Sequence, residues 1–269
     1  MGTEKQAKIP PPSRNKPVII SISQNKGGTA KTTTTINLGA ALVRNGKRVF
    51  LIDLDPQANM SSGLGIDVAS LNRSMYQVFL EKNTSLEEVA FDIEGMHVAP
   101  GHISMVTLEM DLVNKHGREW VLKKKLASLE GNYDYVLIDC PPSLGLVVTN
   151  ALAASDFVIV PVQTQAYALY GVPQFMEMVN VIQEDLNPNL NILGVLLTFI
   201  NRTRLSREVE EEIRKFFKDR VFRTTIRQNV KIAEAPLSGQ SILKYSPDSA
   251  EDYLDLSEEV EERVNRETR

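Results

Sequence analysis

Gln24-Asn25-Lys26-Gly27-Gly28-Thr29-Ala30-Lys31-Thr32-Thr33 is the stretch on which the fold turns. A short apolar run rich in β-formers, residues 18–23, precedes it. A helical stretch, 32–45, follows, with Ile36, Ala40 and Val43 on one face. Strand, glycine turn and helix start in that order make the setting of a phosphate-binding loop. A helix N-terminus has unpaired N–H groups and the positive end of the dipole, so it favours an anion. Gly27 and Gly28 let the backbone approach phosphate oxygens with no Cβ in the way. Lys31 is placed to reach the β- and γ-phosphates of ATP, and the Thr32 hydroxyl to ligate Mg²⁺. Thr29, Ala30 and Thr33 complete the candidate nucleotide contacts. Asn25 and Ala30 stand where the common form of such loops has Gly. Ala30 therefore either takes an ordinary φ or holds a left-handed one at a cost of about 1 kcal/mol.

Outward from this loop, short apolar runs alternate with helical stretches. Strands are expected at 48–53, 96–100, 135–139, 157–162, 192–200 and 221–226, and helices at 108–129, 172–185, 205–217 and 249–265. That alternation predicts an α/β fold: a doubly wound, mostly parallel sheet with helices on both faces. No linker interrupts the pattern, so residues 17–269 read as one domain. Residues 1–16 read as a flexible basic arm, with Lys5, Lys8, Arg14 and Lys16 against Glu4 and the stiff run Pro10-Pro11-Pro12.

Two strand ends carry carboxylates. In Leu51-Ile52-Asp53-Leu54-Asp55-Pro56, alternation sends Asp53 and Asp55 to the same side, at the carboxyl end of the strand. Ligands bind there in open parallel sheets. Tyr135-Val136-Leu137-Ile138-Asp139 is an apolar strand ending in a carboxylate suited to Mg²⁺. Cys140 follows it, with no His in the motif to activate a thiol. As the single cysteine of the chain it excludes an internal disulfide framework and a Cys-rich metal site. His97, His102 and His116 show no metal-ligand spacing.

The chain has 269 residues and is 42% hydrophobic and 24% charged, an ordinary balance for a folded protein. No apolar run approaches the roughly 20 residues of a membrane span. The opening stretch has no apolar signal core, so a cytoplasmic protein is expected. The net charge of −4 speaks against a nucleic-acid partner until the charges are located. Residues 201–231 hold ten basic and five acidic residues, net +5, which leaves −9 for the rest. A concentrated basic segment suits non-specific, salt-sensitive phosphate contacts.

Lys26, five residues before Lys31, makes the loop resemble the deviant Walker A motif of the ParA/MinD class of P-loop ATPases. Asp-Cys-Pro-Pro-Ser at 139–143 resembles that class's second switch. The stretches 197–206 and 229–236 resemble two late motifs of its chromosomal Soj-like branch. The resemblance covers about residues 17–262. It implies that Lys26 crosses a homodimer interface to the partner's nucleotide, and that Asp55 activates water with Asp53 supporting near Mg²⁺. It further implies that Asn201 contacts adenine, and that Arg202 and Lys231 hold DNA, with Arg204 and Arg227 as further candidates. The implied function is a DNA partition ATPase. Its ATP-bridged dimer binds double-stranded DNA without sequence preference, is nucleoid-associated, and is stimulated by a ParB-like centromere-binding protein. A nucleoid-tracking ATPase that positions a protein cargo is the alternative. A MinD-like membrane ATPase is disfavoured because the tail at 257–263 is acidic where a basic amphipathic helix is needed.

Overall fold

The computed structural model describes residues 15–165 and 171–268. Eight strands form one sheet: β1 (Val18–Ile22), β2 (Val49–Asp53), β3 (Phe91–Ile93), β4 (Met96–Ala99), β5 (Tyr135–Asp139), β6 (Phe157–Gln163), β7 (Asn191–Ile200) and β8 (Val221–Arg227). Their order is β3-β4-β2-β5-β1-β6-β7-β8. Every neighbouring pair is parallel except β3 with β4. The expected doubly wound α/β architecture is therefore present.

The central strands read as continuous apolar runs because both faces are covered. Phe50, Ile52, Val136, Ile138, Val158 and Val160 point to one face, against Ala151 and Phe175 of the helices Leu146–Ala154 and Val172–Asp185. Ile20, Ile22, Leu51, Leu137 and Ile159 point to the other. There Ile36 and Leu38 of the helix Lys31–Arg44 meet Tyr253, Leu256 and Val260 of the helix Glu251–Glu267.

The register places the chemistry. Ile22 pairs with Asp139, and Asp53 pairs with Asp139 from the other side. The phosphate loop and both carboxylate-bearing ends thus share one edge. It is the crevice between β1 and β5, where the chain leaves β1 one way to β2 and leaves β5 the other way to β6, the usual ligand position in such sheets.

Three local expectations differ. The helix expected over 108–129 is broken into Leu108–Asp111 and Val121–Leu126, with Gly117 between them at φ 66, a conformation no helix continues through. β3 was not anticipated. It is mostly exposed and returns through Glu94-Gly95, both at positive φ, as a two-residue hairpin requires. The short helices Met75–Leu80 and Leu86–Val89 were also missed. Each begins with a capping box, Ser74 with Gln77 and Ser85 with Glu88. Of the arm, residues 1–14 lie outside the described residues, and Lys16 pairs with Glu130 at 3.2 Å on the surface.

Candidate nucleotide site and basic face

The loop leaves β1 through Ser23 and Gln24, both buried. The amide of Lys26 donates to the Gln24 side chain. Gly28 sits at φ 74, which only glycine adopts without cost. A Cβ at Gly27 or Gly28 would meet no atom within 4 Å, so open space lies beside the loop. Ala30 takes the left-handed conformation, φ 69 and ψ 29, as the residue before the helix. Of the two sequence alternatives, the strained one holds. β7 braces the loop through a Thr198 hydroxyl that donates to the Thr29 carbonyl at 3.2 Å.

Lys31 is buried and its Nζ donates to the Lys26 carbonyl at 2.9 Å. Burial holds its ammonium below the ordinary lysine range, opposed by the nearby charge of Asp139. The Thr32 hydroxyl donates to Asp139 Oδ2 at 2.7 Å. Asp139 Oδ1 is buried and accepts no hydrogen bond. Burial, then the charge of Asp53, pushes the Asp139 carboxyl well above its usual range.

An unpaired buried carboxylate oxygen beside a hydroxyl and open space suits a hard cation. Among the described residues no group of three or more His, Cys, Asp or Glu side chains gathers for a metal. A cation here would draw its other ligands from phosphates and water, as Mg²⁺ commonly does. Thr32, Asp139 and the loop therefore fit a magnesium nucleotide.

Asp53 and Asp55 come out differently. Asp53 is fully buried. Its Oδ1 accepts from the Asp55 amide at 3.1 Å, and its Oδ2 accepts from the Ser61 amide and hydroxyl at 2.9 and 2.7 Å. Burial pushes its carboxyl up to about 6. Both of its oxygens thus accept hydrogen bonds from the segment 55–61. Asp55 accepts from the Gln57 amide at 2.9 Å and lies close enough for its charge to act on Lys31 and Asp139. Sequence reasoning missed Ser61 and Gly101. The Gly101 amide donates to the Ser61 hydroxyl at 3.1 Å, and a Cβ there would lie 2.8 Å from the Asp55 carbonyl and 3.0 Å from Asp53 Cγ. Pro100-Gly101 at the end of β4 was the available signal.

Cys140 is buried with its thiol pushed up to about 12 by burial, so it is a packing residue. A cleft of about 230 Å³ opens beside the loop, lined in part by Ala30, Thr33, Phe199, Gln228, Asn229 and Val230. Asn201 stands outside this lining. Its Oδ1 accepts from Thr203, and its Nδ2 donates to Gln228 at 3.4 Å.

The basic segment divides into two groups. Arg202, Arg207, Lys215, Lys218 and Arg220 are exposed and form no ion pair among the described residues. Arg204 is 91% exposed and pairs only with Glu208, one turn along its own helix, at 2.6 Å. Arg223 and Arg227 are tied to the acidic C-terminal helix, Arg223 to Glu262 and Arg227 to Glu251 at 2.8 Å and Asp252 at 2.6 Å. Lys231 pairs with Glu234 at 2.9 Å. The structure thus spends Arg227, a candidate DNA contact, on Glu251–Glu267, whose charge lies too far along the chain for a local count to include.

No helix among the described residues is long and apolar enough to cross a membrane. A family model described as an AAA domain matches residues 17–192. The chain is 46% identical over 246 residues to the sporulation initiation inhibitor protein Soj of Bacillus subtilis (strain 168), covering 90% of this chain and 97% of that protein. It is 40% identical over 250 residues to the chromosome partitioning protein ParA of Myxococcus xanthus, covering 91% and 88%. The fold also matches a crystal structure of cobyrinic acid a,c-diamide synthase from Mycobacterium smegmatis with bound ATP analogue and magnesium. There the TM-score is 0.80 at 34% identity, covering 90% of this chain and 93% of that one. With its two-lysine loop, its paired carboxylate strand ends and these relatives, the chain belongs to the ParA/Soj family of P-loop ATPases.

Proposed function

We propose that the chain is a DNA partition ATPase working as an ATP-bridged homodimer. The observation that carries this reading is the loop of Lys26 and Lys31 set against Asp139, whose buried Oδ1 accepts no hydrogen bond and suits a cation. A relative named for chromosome partitioning supports the role. Lys31 leaves the Lys26 carbonyl for the β- and γ-phosphates. Thr32 and Asp139 would hold Mg²⁺, which would offset the phosphates' negative charge. Lys26 reaches the nucleotide of the second subunit. The nucleoside takes the cleft beside Ala30 and Thr33, and Asn201 joins it only by giving up Thr203 and Gln228.

Asp55 positions the attacking water, while Asp53, held by Ser61, fixes the segment that carries Asp55. Arg202, Arg204 and their unpaired neighbours contact DNA phosphates, and joining two such faces raises affinity through multivalency. A ParB-like centromere-binding protein speeds hydrolysis and releases the dimer from the nucleoid. The same ATPase would serve a protein cargo, and the identity of the co-purified partner separates the two.

The likeness to the Mycobacterium smegmatis synthase favours a second reading, an ATP-dependent ligase. It requires turnover that depends on a carboxylate substrate and ignores DNA. The test is Asp55→Ala in the presence of ATP. A stable dimer retained on DNA, seen by light scattering and filter binding, is the expected result. Normal hydrolysis in that variant would refute the assignment.

A further inference from the structure

The segment after β4 is apolar on two opposite sides. Met105, Leu108 and Leu112 are buried in the core, whereas Ile103, Val106, Met110 and Val113 are 57%, 63%, 77% and 56% exposed. Ile103 and Val106 lie in the turn Ile103–Thr107, Met110 in the helix Leu108–Asp111 and Val113 just past its end, in steps of three, four and three residues. Contiguous exposed apolar side chains mark interaction surfaces more than singly scattered ones do.

Only Glu109 and Asp111 are charged within 103–113. Both are exposed and hydrogen-bonded within the chain: Glu109 accepts the Leu146 amide at 2.7 Å, and Asp111 accepts the Tyr76 and Thr107 hydroxyls at 2.9 and 2.8 Å.

Its place ties it to the nucleotide site. The segment starts from Gly101, packed on Asp53 and Asp55. Glu109 reaches the first turn of the helix Leu146–Ala154, just past Asp139 and the Pro141-Pro142-Ser143 turn. Gly145 leaves no room beside Glu109 for a side chain. The ridge therefore stands at the carboxyl end of the sheet, the end that carries the phosphate loop.

We propose that this ridge pairs with the same ridge of a second copy of the chain when ATP bridges two subunits, an inference that rests on the sandwich reading above. A two-fold axis that sets two phosphate loops face to face brings the same end of both sheets together, and an apolar seam is complementary to itself. Four such side chains offer on the order of 400 Å² of apolar surface, the size of functional patches. That is short of the roughly 800 Å² per subunit of a stable interface. The ridge adds to a nucleotide-dependent dimer without enforcing a permanent one. Through Glu109 and Gly101, pairing also bears on the segments that carry Asp139 and Asp55, so dimer formation and the hydrolytic groups move together.

The test uses Met110→Cys in the full chain, where the native Cys140 is buried. A short bismaleimide should capture a covalent dimer with ATP and little with ADP or no nucleotide. Val181→Cys, exposed on another helix, should not be captured, and equal capture there would mark random collision and overturn the proposal. Light scattering runs alongside. An ATP dimer seen by scattering without capture at position 110 would refute the ridge and leave the sandwich standing. No ATP dimer at all would overturn both. In a second arm, Val106→Glu with Met110→Glu should weaken dimerisation at least about tenfold, or about 1.4 kcal/mol, with ATP affinity of the single subunit intact. Unchanged dimerisation would contradict the proposal.

Discussion

Two charged regions of this molecule treat their charges in opposite ways. Around the phosphate loop, Lys31, Asp53 and Asp139 are buried, and Asp139 keeps one oxygen without a partner. Along the basic face, the charges are exposed, and several are already neutralised by Glu234, Glu251, Asp252 and Glu262. Burying a charge is expensive unless something pairs it, and the unspent oxygen of Asp139 is a position that a cation fits. Exposed pairs cost little to form or break. They show only how much of a charge count is free.

The largest effect should come from the buried side. Lys31→Ala should weaken ATP binding about 100-fold, the scale of losing charge-assisted contacts in a dry site, as measured by calorimetry. Intact affinity would erase the distinction between the two regions.

Next is Asp139→Asn, which should abolish magnesium-dependent hydrolysis yet raise the melting temperature of the nucleotide-free chain by a few degrees. The pH dependence follows from the same burial. Asp53 is raised from 3.8 to about 6 in the folded state. The folded state therefore holds the proton more tightly, and this stabilisation is full below the unfolded value. It is lost as pH rises through the folded one. Without magnesium or nucleotide, the melting temperature should fall as pH rises from about 4 to about 6. Asp53→Asn should reduce that slope, the share of the likewise raised Asp139 remaining, and a slope unaltered by the substitution would place the titration elsewhere.

On the exposed side the effects are smaller. Arg202→Glu should weaken DNA binding about tenfold and lower the slope of affinity against salt by about one, with the ATP dimer intact. Arg227→Ala should cost less than about threefold, because Glu251 and Asp252 already occupy that guanidinium. Replacing both acids by amides should instead raise DNA affinity. Equal losses at Arg202 and Arg227 would break the contrast between free and paired arginines.

The nucleotide side was largely legible in the sequence because its parts are local. Gly27, Gly28, Lys31 and Thr32 lie within six residues, and strands 49–53 and 135–139 each end on their own carboxylate. Strand alternation alone puts them at one edge. Asp53 was harder to place, since its partner Ser61 and the neighbouring Gly101 come from two other segments, and only the Pro100-Gly101 turn gave a local signal. On the basic face, a count over 201–231 could not see Asp252 or Glu262, which reach Arg227 and Arg223 only after β8 packs against the last helix. The break at Gly117 was hidden by a helical apolar pattern that continues on both sides of it.

The most direct test of the account is a DNA shift assay on the unmodified chain with ATP, with ADP and without nucleotide, repeated across salt concentrations. The account predicts binding with ATP alone, falling steeply with salt because several phosphates are contacted at once. Equal binding in all three nucleotide states, or none with ATP at low salt, would contradict it.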